Sequence, residues 1–341
     1  MVDAICAELQ TRVSYLEGKR VETIYFGGGT PSILVQQELE QLLETISSNF
    51  EVVDEVEITL EANPDDISKS SLRMWKALGV NRLSIGLQSF KEEDLGWMNR
   101  AHTVNEAETC IQLAQSEGFH NLTVDLIYGL PNLSLEEWRS HVQKVIDFGV
   151  PHVSAYCLTV EDKTVLDKWV KTGKIQPVSD EVQGDQFMEL LDRLEANGYA
   201  QYEISNFAKP GFESVHNGNY WKGEWYLGVG PSAHSFNGTS RSWNVANNRK
   251  YLEAIEANEA FSETEELTPE NQFNERILIG LRTVKGVDLD ELAAISVPTK
   301  SFLTKKQSFI DEGWMLQHES VISLTKEGRL RADYIASELF L

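Results

Sequence analysis

The sequence is short of basic residues, cysteine and long apolar runs. Lys and Arg number 30 against 53 Asp and Glu, a formal net charge of −23. That balance excludes nucleic acid and anionic lipid as charge-driven, nonspecific partners. The three cysteines, Cys6, Cys110 and Cys157, are too few and too scattered for a disulfide framework or a spaced metal motif. No apolar run approaches the ~20 residues that span a bilayer. The opening residues, Met1–Glu8, carry no basic stretch and no long apolar core, so they do not read as a secretory signal. A reducing cytoplasm is the expected compartment.

What is present is organised around Val21–Pro31. A short run rich in β-branched and aromatic residues reads as a buried strand, and Gly27, Gly28 and Gly29 follow it directly. Without Cβ atoms the backbone can take positive φ and let a ligand approach its N–H and C=O groups. Thr30 adds a hydroxyl and Pro31 stiffens the exit. The loop is neither a P-loop nor a G-x-G-x-x-G turn. Taken alone it is a ligand-binding loop or simply a tight strand-to-helix turn.

A chain of 341 residues holds two domains, or a large one with an appendage. Residues 2–16 read as an opening helix. Strands are expected at 21–26, 56–60, 82–88, 122–128 and 152–158, with helices at 34–48, 70–78, 104–117 and 135–148 between them. Thr103 with Glu106 and Ser134 with Glu137 predict capping boxes. This βα repeat marks a parallel α/β sheet, open or barrel-like. The polar residues out of place in it, Thr30, Glu61, Gln88 and Asp125, fall at strand ends. Singly each could be a cap; together on one rim they suggest a ligand site.

Beyond a helix at 180–197 and a strand at 199–206, the chain turns aromatic, with His216, Asn217, Tyr220 and Trp221 in a glycine-containing turn. Residues 263–266 read as a linker. Helices near 270–283, 288–294 and 300–312, a strand pair at 314–316 and 321–324, and a last helix from Lys326 suggest a winged-helix module. Its charge gives no basic face for DNA, so a structural or docking role is expected and no nucleic-acid partner.

Five ordered motifs carry a resemblance: Phe26–Pro31, Glu61–Pro64, Ser84–Ser89, Asn99–His102 and Asp125–Pro131. Together they resemble the coproporphyrinogen III oxidase-like branch of the radical S-adenosylmethionine (SAM) superfamily. Residues His216–Trp221, as His-Asn-Gly-Asn-Tyr-Trp, resemble the signature of the heme chaperones within that branch. The implied fold is a partial (β/α)6 TIM-type barrel missing its first strand, with a C-terminal winged-helix-like α+β domain. The implied division is 1–175 for the truncated barrel, 176–262 for an extension with the heme motif and 263–341 for the C-terminal domain.

The resemblance assigns SAM binding to Gly28, Gly29, Thr30, Glu61, Gln88, Arg100, Asp125 and Cys157, and heme binding to His216, Asn217, Tyr220 and Trp221. His216 would be the iron ligand. SAM and a 4Fe–4S cluster are the family's cofactors, and heme and acceptor hemoproteins the implied partners. Peripheral membrane association and a homodimer are further expectations. The alternative within the branch is an oxygen-independent coproporphyrinogen III oxidase; a winged-helix regulator is disfavoured by the acidic charge. The family's C-x3-C-x2-C cluster motif matches none of the three cysteines. The expectation is that one strand and the cluster loop precede Met1, through a late start or a trimmed chain. No SAM cleavage is then expected of the sequence as written.

Overall fold

The computed structural model describes all residues, Met1–Leu341. Seven strands form its largest sheet: β1 (Val21–Phe26), β2 (Val52–Ala62), β3 (Arg82–Gln88), β4 (Leu122–Tyr128), β5 (His152–Cys157), β6 (Ala200–Glu203) and β7 (Asn206–Ala208). Their order is β1-β2-β3-β4-β5-β7-β6. Strands β2 to β5 run parallel, each crossover carrying helix, which is the α/β partial-barrel pattern that the repeat predicts. Both capping boxes form, with the Thr103 and Ser134 hydroxyls accepting from Glu106 and Glu137 backbone N–H groups.

The single strand expected at 199–206 is instead an antiparallel pair, β6 and β7. The buried Glu203 carboxylate accepts from the Ser205 N–H at 3.0 Å and from the Asn206 side-chain amide, and this closes the turn between them. Four helices escape sequence reading: Glu92–Trp97, Val165–Lys171, Val215–Lys222 and Asn248–Ala257.

The chain forms two compact units. One comprises Tyr25–Ile33 and Ile58–Glu213; the other comprises Met1–Ile24, Leu34–Glu57 and Ser214–Leu341. In the Ile58–Glu213 unit, the two faces of the sheet differ sharply. Leu83, Ile85, Leu122, Val124, Val153 and Ala155 bury one face as apolar core. The alternating positions Arg82, Ser84, Thr123, His152 and Ser154 bury polar groups on the other, as the period of two requires. Arg82 is 2 % exposed. It donates to the Asn121 amide oxygen, the Phe212 carbonyl and the Thr123 hydroxyl, and its charge is felt by Asp125.

In the other unit the opening helix ends at Thr11 and continues only as a 3-10 turn, Val13–Leu16, rather than as one helix to 16. At the break, Arg12 donates to the Gly228 carbonyl and to the Ser235 and Ser242 hydroxyls. Its partner Glu8 is fully buried. The Glu8 carboxylate pairs with Arg12 at 3.1 Å and accepts from the Gly230 N–H (2.8 Å), the Asn244 amide (2.8 Å) and the Tyr251 hydroxyl (2.6 Å). Removing one member of such a network strands the rest without water. Glu8→Ala is expected to cost about 3–5 kcal/mol of unfolding free energy, read by urea denaturation; a loss near zero would mean that water re-solvates the site.

The same unit holds two small sheets. In the first, β8 (His234–Phe236), β9 (Ser240–Asn244) and β10 (Ser262–Glu266) pair antiparallel in the order β10-β9-β8. Residues 263–266 are therefore strand, paired with Trp243–Ser240, and not a linker. In the second, β11 (Val287–Asp288), β12 (Met315–His318) and β13 (Val321–Leu324) are ordered β11-β13-β12. With helices Pro269–Leu281, Leu289–Ile295 and Lys300–Asp311 they make the winged-helix-like module. The last helix is two pieces, Lys326–Arg329 and Ala332–Glu338. No helix is long and apolar enough to cross a membrane.

Candidate functional sites

The first cluster lies at the ends of β2 and β3, in the middle of β4 and in the glycine loop. Gly28 and Gly29 take φ of 70° and 149°, which side chains rarely tolerate. Gly27 is needed for space: a Cβ there would stand 2.5 Å from the Tyr25 ring and 2.7 Å from the Glu61 carboxylate. Glu61 accepts from the Tyr25 hydroxyl at 2.8 Å and from the Gly28 N–H at 3.2 Å. The loop and the end of β2 are thereby tied together.

Asp125 shares this neighbourhood. Burial, and then the negative Glu61 carboxylate, push its pKa up to about 7 against the pull of the Ser154 and Ser84 hydroxyls. Ser84 donates to it at 3.3 Å. Tyr25 is raised by burial and then by Glu61, and Tyr156 by burial and then by Asp125. Two interacting carboxylates with phenols around them make a site poor in positive charge, which Arg82 offsets only in part. Arg100 donates to Asn63 Oδ1 (2.8 Å) and to the Gly86 carbonyl (3.1 Å), while its buried Nε has no partner. Gln88 ends β3 in the left-handed region (φ 69°), its amide nitrogen 3.0 Å from where a Gly86 Cβ would be.

Among the residues expected at the SAM site, Gly28, Glu61 and Asp125 come together, and Gln88 and Arg100 meet at Gly86. Thr30 lies in the same loop, exposed. Cys157 does not join them. Asp125 pairs in register with Ser154 and Cys157 with Tyr128, so alternation sends the thiol to the opposite face, beside Gln183 and Gly129. Burial pushes that thiol up to about 11, far from a thiolate. The residues of β5 on the Asp125 side are Ser154 and, nearer the strand end, Tyr156, which sequence reading missed; the strand period alone would have found them.

The second cluster is built on the helix Val215–Lys222, capped by the Ser214 hydroxyl. The His216 motif is thus helical, not a turn. His216 Nδ1 is 2.8 Å from the Thr23 hydroxyl, and Tyr220, one helical turn on, meets the ring edge-on at 5.0 Å and 86°. Tyr220 is 40 % exposed and continues to Tyr226 at 4.6 Å. Burial lowers the His216 pKa to about 4, so the imidazole is neutral at ordinary pH. Asn217 contributes its backbone N–H to the Ser214 cap. Trp221, about 140° round the helix from His216, lies under the Arg282 guanidinium at 5.7 Å.

The family model of the radical SAM superfamily matches residues 6–145, the stretch that carries the glycine loop and both carboxylates. The HemN C-terminal domain matches residues 267–331. The chain belongs to the heme chaperone HemW family. It is 34 % identical to the heme chaperone HemW of Bacillus subtilis over 314 residues, 91 % of this chain and 83 % of that one. It is also 34 % identical to that of Mycobacterium tuberculosis H37Rv over 338 residues, 98 % and 85 % of the two chains. The Escherichia coli coproporphyrinogen III oxidase HemN, a radical SAM enzyme, superposes with a TM-score of 0.84 at 22 % identity, covering 99 % of this chain and 82 % of its own. That likeness establishes the fold.

Membership implies SAM and a 4Fe–4S cluster as the family's cofactors. For SAM the residues fit: paired carboxylates short of a cation, and an orphaned buried guanidinium nitrogen. For the cluster they do not. Cys6 is buried on the first helix with its thiol towards the Gln41 carbonyl, and Cys110 is buried with its thiol on the Ala107 carbonyl. No group of three His, Cys, Asp or Glu side chains stands where it could hold a metal ion.

Proposed function

We propose that this chain binds heme through His216 and passes it to acceptor hemoproteins, on a radical SAM scaffold that keeps a SAM-binding site. The observation that carries the reading is a neutral imidazole, oriented by a hydroxyl at 2.8 Å, beside a partly exposed tyrosine in a chain of this family. Neutral histidine is a good axial ligand, and aromatic edges and faces suit a porphyrin. The oxidase alternative draws on a fold likeness at 22 % identity, whereas the relatives at 34 % are named heme chaperones.

SAM would be held by Glu61 and Asp125 on its ammonium and ribose hydroxyls, Arg100 on its carboxylate, and the Gly28–Thr30 backbone and hydroxyl along its amino-acid end. Gln88 would bridge the last two groups. Bound there, SAM would supply a cationic ligand. Peripheral membrane association and a homodimer follow from the resemblance alone, and vesicle flotation and light scattering read them.

The test is transfer. The protein loaded with one equivalent of ferric heme is expected to bind it stoichiometrically and to pass it to an apo-hemoprotein in excess, followed by the acceptor's Soret band. Transfer no faster than from free heme in dilute detergent would rule out the chaperone reading.

A further inference from the structure

We propose that Thr23 is the positioning residue that sets His216 as a ligand; the inference rests on the reading of His216 as the heme ligand. A hydroxyl can donate or accept, so the 2.8 Å contact between Thr23 Oγ1 and His216 Nδ1 admits two tautomers. Only when Thr23 accepts the Nδ1 proton does the imidazole carry its lone pair on Nε2. Metal-binding histidines use this arrangement, with the second ring nitrogen donating to a neighbour that fixes both tautomer and ring plane. The ring cannot easily swing away, because Tyr220 abuts it edge-on at 5.0 Å.

The backbone that carries His216 is held just as firmly. Glu57, 8 % exposed, turns its carboxylate to the start of the Val215–Lys222 helix. It accepts from the His216 N–H at 2.9 Å, the Val215 N–H at 3.1 Å and the Ser214 hydroxyl at 3.3 Å. The two backbone donors belong to the first turn, which has no partners inside the helix. A buried anion there is held by charge-assisted bonds and by the helix dipole. Thr23 and Glu57 belong to neighbouring strands, β1 and β2, so the frame that fixes the helix also fixes the hydroxyl. Neither residue belongs to the His216–Trp221 motif, and both lie more than 150 positions away, at separations of 193 and 159.

The experiment is a ferric-heme titration of the full chain with Thr23→Val, Thr23→Ser and His216→Ala, alongside metal-free protoporphyrin. Thr23→Val keeps the shape and loses the hydroxyl. Roughly tenfold weaker heme binding is expected, with a shifted Soret band and altered EPR g-values of the heme iron. Metal-free porphyrin should bind within about twofold of wild type, and Thr23→Ser should restore affinity and spectrum together. If His216→Ala weakens heme binding and Thr23→Val leaves affinity and spectrum unchanged, the positioning role is overturned while the ligand reading stands. If Thr23→Val weakens metal-free porphyrin equally, its effect is on the fold and the proposal falls. If His216→Ala changes nothing, the ligand reading itself has failed.

Discussion

His216→Ala is expected to weaken ferric heme binding by on the order of a hundredfold, about 2.7 kcal/mol, while metal-free porphyrin binds nearly as before. The distinction follows from what the side chain supplies. An iron–imidazole bond would be lost with the ring, whereas Tyr220 and Tyr226, in contact with each other, would still be there to meet a porphyrin. His234, an exposed histidine on β8 with its ring 6.4 Å from Trp243, is the control, and its alanine variant should do much less. The pH dependence has a definite sign. Burial depresses His216 to about 4, so its neutral form persists far below the usual histidine range. Wild-type heme affinity should therefore hold between pH 7 and 5 and fall only as the pH approaches about 4. Equal affinity and an unchanged spectrum for wild type and His216→Ala would leave His216 a helix residue and nothing more.

The parallel sheet was legible because its strands are short apolar, β-branched runs, three of them stopped by glycine or proline. For β3 and β4 the limits read from sequence, 82–88 and 122–128, coincide with those observed. Asp125 and Glu61 were legible for a different reason: a charge in an apolar strand is expensive, so its presence points to a purpose. What escaped reading was held by backbone pairing or distant partners. Strand β10 is exposed at every position, and its acidic residues carry no apolar alternation to reveal it. The helix bearing His216 contains Asn-Gly-Asn, a poor helix sequence, and forms where Ser214 and Glu57 satisfy its first turn. The side of β5 on which Cys157 falls was not legible. One residue of register separates Tyr156, on the Asp125 side, from a thiol on the opposite face.

Asp125→Asn is expected to abolish the pH dependence of SAM binding and to stabilise the ligand-free fold, two effects with one cause. In the ligand-free protein the carboxyl is raised to about 7, first by burial and then by Glu61. A cationic ligand requires the ionised form, so below that value binding must first remove a proton. From pH 8 to pH 6 the wild-type affinity for SAM should then fall about tenfold, read by calorimetry or ligand-observed NMR. The Asn variant should bind more weakly at pH 8 and show no slope. The same shift acts on stability with the opposite sense. A carboxyl whose folded pKa lies above its unfolded one binds more protons in the folded state, so its contribution declines as pH rises from about 4 through about 7. At pH 5 the wild-type side chain is neutral and Asn is nearly its isostere. At pH 8 only the wild type carries a buried negative charge beside Glu61, which Arg82 and the Ser154 and Ser84 hydroxyls offset only in part. The thermal midpoint of Asp125→Asn should therefore exceed that of wild type at pH 8 and match it at pH 5. A variant less stable than wild type at pH 8 would show that the Asp125 charge is already compensated within the fold, and the case for a cationic ligand at this site would fall with it.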